Sequence, residues 1–277
     1  MNTDSLSGRT ILMSGGSRGI GLAIAVAAAR QGANVTILAK TDQPDPRLPG
    51  TVHTAVAEIE AAGGQALAVV GDVRNEDDVA RAAAQAAERF GGIDIVVNNA
   101  SAINLSGTED LPVKRFDLMQ QINARGSFLL VKNALPALKK SDRPRILTLS
   151  PPVNLAPQWL GQFSAYALSK FGMTILTLGW AAEFREAGIA ANCLWPETVI
   201  KTAAVQNLLG GDETVQRARV PEIMADAAMV ILGLPADRTG ETFIDVEALR
   251  EAGVTDFSGY GGGEEPGLDL FVDERLT

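Results

Sequence analysis

Short apolar runs alternate with stretches of helical periodicity along the whole chain. The runs over 10–13, 34–39, 65–70, 93–97, 145–149, 189–195 and 242–246 read as strands. Between them, apolar positions recur with the spacing of a helix face over 19–30, 51–62, 77–90, 112–139 and 164–187, and more briefly over 221–232. Strands that are apolar at nearly every position have two faces to hide from water. The alternation with helices supplies the cover, which predicts an α/β fold: a doubly wound parallel sheet with helices on both sides.

Two segments break the alternation. Residues 42–50 carry three prolines and a glycine and read as a loop inserted between a strand and a helix. Residues 259–266 are glycine-rich, with no periodicity to order them. No repeat or linker divides the chain, so one domain is expected over 1–277, holding cofactor and substrate sites together.

Composition narrows the function classes. A net charge of −9 argues against nucleic acid as the partner. One cysteine and one histidine exclude an intrachain disulfide framework and make a transition-metal site a poor expectation. The first eight residues lack a secretory apolar stretch, and the alanine-rich run over 22–29 is too short to span a bilayer. The chain does not end in the peroxisomal Ser-Lys-Leu signal. The expectation is a cytoplasmic protein that acts on a small molecule, without membrane association.

The chemistry concentrates in two places. Ser14-Gly15-Gly16-Ser17-Arg18-Gly19-Ile20-Gly21 follows the first strand and opens the first helix. Glycine allows the backbone to turn tightly and approach a pyrophosphate, whose charge the helix N-terminus favours. That context predicts a dinucleotide site on a Rossmann-type sheet. Far downstream, Tyr166 and Lys170 are four residues apart and share one helix face. An ammonium beside a phenol lowers the phenol pKa, which makes it usable as an acid or base near neutrality. The second strand ends at Ala39-Lys40, where an NAD site usually carries an acidic residue. Lys40 from one side and Arg18 from the other can meet a 2′-phosphate, which predicts NADP(H).

Together these features resemble the short-chain dehydrogenase/reductase family over nearly the whole chain. Gly15, Gly19 and Gly21 carry the resemblance with Asp72-Val73, Asn98-Asn99-Ala100-Ser101, Asn123, Tyr166-x-x-x-Lys170 and Pro196. Ala39-Lys40-Thr41, Pro49-Gly50-Thr51, Ser150-Pro151-Pro152, Leu194-Trp195-Pro196 and Ala225-Asp226-Ala227-Ala228 are similar to its hydroxysteroid dehydrogenase-like branch. The resemblance implies a carbonyl–alcohol oxidoreductase with Tyr166 as proton donor or acceptor. Lys170 would bind the nicotinamide ribose and tune the phenol, and Asn123 would hold a water linking Lys170 to solvent. Ser17 and Ile20 would join the glycines at the cofactor. Asp72 and Val73 would contact adenine, Asn99 and Ala100 the ribose and pyrophosphate, and Pro196 and the backbone from Thr198 to Ile200 the nicotinamide.

Three positions depart from the family pattern. Ser101 stands where the motif has glycine, and Glu197 follows Pro196 where glycine is usual. The serine that polarises the substrate oxygen is expected about a dozen residues before the tyrosine, but Ser150 lies sixteen before it. Ser150 reaches the site only if the Pro151-Pro152 turn redirects the chain; otherwise Ser164 or a backbone group serves, or the site is weakened. Two rival readings therefore stand beside the dehydrogenase: a nucleotide-binding regulatory or scaffold protein, and an NADPH-dependent enoyl reductase.

The remaining candidates read mainly as structural. His53 is a surface or helix-cap residue, and Cys193 is a buried thiol. Trp195 is a better substrate-cavity residue than Trp159 or Trp180. Residues 203–209 read as a mobile apolar lid over a steroid, terpenoid or fatty-acyl type substrate, or else as a packed helix. The apolar helices over 112–139 and 164–187 are expected to pair across a homodimer or homotetramer interface, as the family resemblance implies.

Overall fold

The computed structural model describes residues 6–45, 49–203, 205, 216–263 and 265–274. The predicted lid over 203–209 lies mostly outside them. The strands are β1 Thr10–Ser14, β2 Asn34–Ala39, β3 Gln65–Val70, β4 Ile95–Asn98, β5 Arg145–Leu149, β6 Ala190–Trp195 and β7 Thr242–Ile244. All pair in parallel, in the order β3-β2-β1-β4-β5-β6-β7. The order reverses between β1 and β4. In an open sheet that point leaves a crevice beyond the carboxyl ends of the strands, where ligands bind.

The helices are α1 Gly19–Arg30, α2 Val52–Ala61, α3 Glu76–Phe90, α4 Val113–Gln120, α5 Gly126–Leu138, α6 Pro157–Glu183, α7 Glu222–Gly233 and α8 Asp245–Glu251. The strand period of two sorts side chains into opposite layers. Ile11, Met13, Ile95, Val97, Leu147 and Leu149 join the core under α1, α2, α7 and α8. Leu12, Val96 and Ile146 join the core under α3, α5 and the C-terminal end of α6, where Trp180 is buried. Among the described residues, no helix is long and apolar enough to cross a membrane.

The differences from the sequence reading have local causes. The helix expected over 112–139 is two α-helices joined by a π-helical stretch, Gln121–Arg125, which contains Asn123. Periodicity does not register the one extra residue of a π turn. The start expected at 164 falls on a kink: α6 begins at Pro157, and Phe163 interrupts it with φ −149° and ψ 55°. The last strand ends two residues early, because Asp245 opens the unforeseen α8. The glycine-rich tail forms an irregular strap whose continuation lies across the carboxyl edge of the sheet. Thr198 pairs antiparallel with Leu268, and Arg219 with Gly261.

Candidate active site

The glycine turn is held in a conformation that needs glycine at Gly15, where φ is +75° and an added Cβ would lie 2.9 Å from Ala100 Cα. Gly21 serves packing instead: a Cβ there would run into the Asn99 amide and come within 2.6 Å of the Gly15 carbonyl. Asn99 Nδ2 donates to the carbonyls of Ser14 (3.2 Å) and Gly15 (2.6 Å), which fastens the turn to the end of β4. Ala100 N donates to Ser14 Oγ, and Ser17 is buried beneath the turn. Ser101 is exposed, so the missing family glycine causes no crowding.

Two helix N-termini point to a difference in use. Asn75 caps α3 by accepting from Asp77 N and Asp78 N, and three acidic residues fill its first turn. Among the described residues α1 has no side-chain cap and no acid in its first turn. Its amides face the crevice at β1 and suit a phosphate group. A dinucleotide fits this turn, with Ile20 at the first turn of α1 beside it.

At the far end of the crevice, Lys40 Nζ is 3.3 Å from Asp72 Oδ2 and is 60% exposed. Arg74, which the sequence reading overlooked, grips the same carboxylate through Nε (2.9 and 3.1 Å) and Nη2 (2.6 Å). Arg74, and then Lys40, hold Asp72 down to about 2 against the opposing effect of burial. Two cations share one carboxylate, so this end stays locally positive. Arg18 is directed elsewhere: its guanidinium donates to the carbonyls of Pro49 and Gly50, closing the inserted loop onto the turn. Val73 is nearly buried, against Gly126 of α5. His53 is exposed and bonds Asp42 at 2.7 Å.

Tyr166 and Lys170 are one turn apart on α6, 4% and 2% exposed. Lys170 Nζ donates to the Leu149 carbonyl at the end of β5 (2.6 Å) and lies 5.0 Å from the centre of the Trp195 ring. Burial brings its ammonium down to about 7. The Tyr166 phenol moves opposite to the sequence expectation. Burial, and secondarily the Asp269 carboxylate, raise its pKa. The lysine that was to lower it is itself desolvated and only partly charged near neutrality.

Asn123 knits this region together. Its amide exchanges hydrogen bonds with the backbone of Ala102 (2.7 and 3.0 Å) and donates to Ser169 Oγ (2.8 Å), which donates to the Tyr166 carbonyl. The π-helical stretch thereby joins the loop after β4 to the helix carrying Tyr166 and Lys170. Ser150 is fully buried. Its hydroxyl lies by the Cys193 thiol, and no hydrogen bond joins it to Tyr166 among the described residues. Thr174 Oγ1 donates to the Pro151 carbonyl (2.7 Å) and fixes the turn in that orientation. Ser164 is exposed. Burial pushes the Cys193 thiol up to about 11, as suits an inert core residue.

Pro196 is buried, and Glu197 has an architectural part. Its carboxylate lies 3.4 Å from Arg219 Nη1 in a nearly dry pair, and its carbonyl accepts from Asp269 N. Val199 N donates to Gly267 O, and Arg219 N to Val199 O. These bonds use one edge of the segment after β6, leaving the backbone polar groups of Thr198 and Ile200 directed to the other edge.

The strap brings in Phe271, which no sequence signal marked. Its ring meets those of Phe171 (4.9 Å between centres), Trp159 and Phe163 (5.8 Å each), Tyr166 (6.2 Å) and Trp195 (6.3 Å). Both Trp195 and Trp159 thus reach the site, while Trp180 stays in the core.

A Rossmann-like parallel sheet with a glycine turn and a buried Tyr/Lys pair at its carboxyl edge defines a class of nicotinamide-dependent oxidoreductases. The short chain dehydrogenase family model matches residues 9–212, and the chain belongs to this short-chain dehydrogenase/reductase family. It is 53% identical to Hydroxysteroid dehydrogenase-like protein 2 of Danio rerio over 98% of its length, and it spans 65% of that relative. It is also similar to two solved structures. A short chain dehydrogenase from Mycobacterium thermoresistibile is 56% identical with a TM-score of 0.92, the match covering 97% of this chain and 96% of that one. A putative dehydrogenase from Xanthomonas campestris is 53% identical with a TM-score of 0.94, covering 98% and 100%.

Proposed function

We propose that the protein is an NADP(H)-dependent oxidoreductase that interconverts a carbonyl and an alcohol on an apolar substrate. The observation that carries the reading is the buried Tyr166/Lys170 pair, one helical turn apart, at the same sheet edge as an uncapped α1 glycine turn. The nicotinamide, when bound, would supply or accept hydride at C4. Tyr166 Oη gives its proton to the developing alkoxide oxygen or takes it back from the alcohol. A phenol raised by burial holds its proton at neutral pH, which favours the reducing direction. Lys170, held by the Leu149 carbonyl and the Trp195 face, orients the ribose and the phenol. Asn123 fixes the backbone around both and holds the relay water near Lys170.

NADP(H) is favoured over NAD(H) because Lys40 and Arg74 outnumber Asp72 at the adenosine end. The aromatic lining around Phe271 favours an apolar substrate. An exposed apolar stripe, Phe128 on α5 with Leu168 and Ile175 on α6, suits a homodimer or homotetramer interface.

The test is NADPH oxidation over a panel of ketones, aldehydes and enones by wild type and Tyr166→Phe. Turnover should fall about 10²–10⁴-fold in the variant while cofactor affinity holds. Full activity in Tyr166→Phe rejects the mechanism. A second reading, a nucleotide-binding protein with weak or no turnover, draws on Ser150 lying by Cys193. It wins if cofactor binds and no panel member reacts.

A further inference from the structure

Phe271 is the only non-glycine residue with positive φ (+69°) among the described residues. Such a backbone is costly for an aromatic side chain and persists only where its surroundings hold it. Here they do. Asp273 accepts from Asn154 Nδ2 (2.7 Å), Gln158 Nε2 (2.8 Å) and Trp159 Nε1 (2.8 Å). Asn154 also donates to the Phe271 carbonyl (3.0 Å), and Trp195 Nε1 to the Leu270 carbonyl (2.9 Å). The latch sits at the start of α6, just before the kink at Phe163. Strap and kink together bring Phe271, 4% exposed, over the Tyr166 ring.

We propose that Phe271 is the specificity-determining residue of this site, limiting the width of the substrate skeleton beside Tyr166; this rests on Tyr166 being the proton donor. The two rings are nearly parallel, at 21°, with centres 6.2 Å apart. A carbon skeleton between them would need about 7 Å, two carbon–carbon contacts of about 3.5 Å each. The face of the phenol is therefore closed, and a substrate oxygen reaches Oη past the ring edge. A slender acyl chain or linear ketone passes there. A fused alicyclic ketone must displace Phe271 together with the strap. The substrate class assigned is thus linear carbonyl compounds in preference to fused-ring ones.

The test uses the full chain with NADPH and two ketones matched in carbon number, 2-decanone and 2-decalone. Wild type should prefer the linear ketone in kcat/KM. Phe271→Ala should raise the decalone-to-decanone ratio about tenfold or more. Phe271→Leu, which keeps more of the packing if the alanine variant does not fold, should raise it less. Asp273→Asn, which loosens the latch without changing any ring, should move it in the same direction. Cofactor titration checks that each variant is folded. A wild-type preference for decalone, or a ratio unchanged in the folded Phe271 variants, overturns the inference. Tyr166→Phe separates the two failures. An inactive Tyr166→Phe beside an unchanged ratio removes the width limit alone, and an active one removes the proton-donor reading and the inference with it.

Discussion

At the end of the crevice proposed for the adenosine, Asp72 is held down to about 2 by Arg74 and Lys40. At the end proposed for the substrate, Asp245 and Asp269 are pushed up to about 7 by burial. The first carboxylate is partly solvated and shared by two cations. The others lie where no cation outweighs desolvation: Asp245 faces Glu197 and Arg219, and Asp269 faces Lys170 and Asp245. One side of the site is a paired, hydrated charge surface. The other is a dry chamber that suppresses charge, Lys170 included. Phosphate recognition needs the first environment, and proton transfer to a carbonyl oxygen gains from the second.

The sharpest way to break this contrast is to break an ion pair on the dry side. Arg219→Met removes an ion-pair partner of Glu197, whose backbone also receives the strap and donates to Asp245 (2.9 Å). Breaking a buried pair in this way costs about 3–5 kcal/mol. Urea unfolding should register that loss, and Glu197→Gln in the same chain should recover part of it. A loss under about 1 kcal/mol would mean that the pair is hydrated, and the contrast would fail.

The next effect is the pH dependence of stability. Asp245 and Asp269 have folded values above the unfolded value near 3.8. The folded state therefore binds more protons between about 4 and about 7, and their contribution is lost as pH rises through that window. Asp72 has the opposite sign: its contribution is present above about 4 and is lost as pH falls toward 2. Lys170, lowered to about 7, adds a rising slope only above that pH. Melting temperature should fall from about pH 4 to 7. Asp269→Asn should flatten that limb and Asp72→Asn the acid limb. If Asp269→Asn altered only the acid limb, the assignment would be reversed.

The two sides also differ in how far the sequence reveals them. Gly15 and Gly19 are legible because a tight turn at a helix start needs positive φ, and Gly21 because the turn packs too closely there for a side chain. Tyr166 and Lys170 are legible through their spacing on one helix. The strands were placed to within two or three residues, since burial on both faces imposes continuous apolar runs. The strap was not legible. Phe271 reaches Tyr166 through a segment without periodicity, held by tertiary bonds from Glu197, Trp195 and Asn154. Glu197 looked like a defect in a motif and is an anchor for that strap. The direction of the Tyr166 shift was missed for a related reason: spacing gives the distance to a lysine but not the dryness that silences it.

The smallest effect lies on the wet side and tests whether it is a phosphate site at all. Lys40 is 60% exposed, so the contact proposed for it with a 2′-phosphate is partly screened by solvent. Lys40→Asp removes that contact and sets a carboxylate near Asp72, while Arg74 still holds Asp72 in place. The ratio of NADPH to NADH affinity should fall about tenfold, with NADH affinity nearly unchanged. The wild-type preference should also shrink as salt is raised, because exposed charges are screened. The Phe271-dependent substrate ratio should not move with salt, since dispersion contacts between rings carry no net charge. Equal salt sensitivity of both ratios would mean that the two ends share one environment. An NADPH preference untouched by Lys40→Asp would shift the phosphate contact to Arg74.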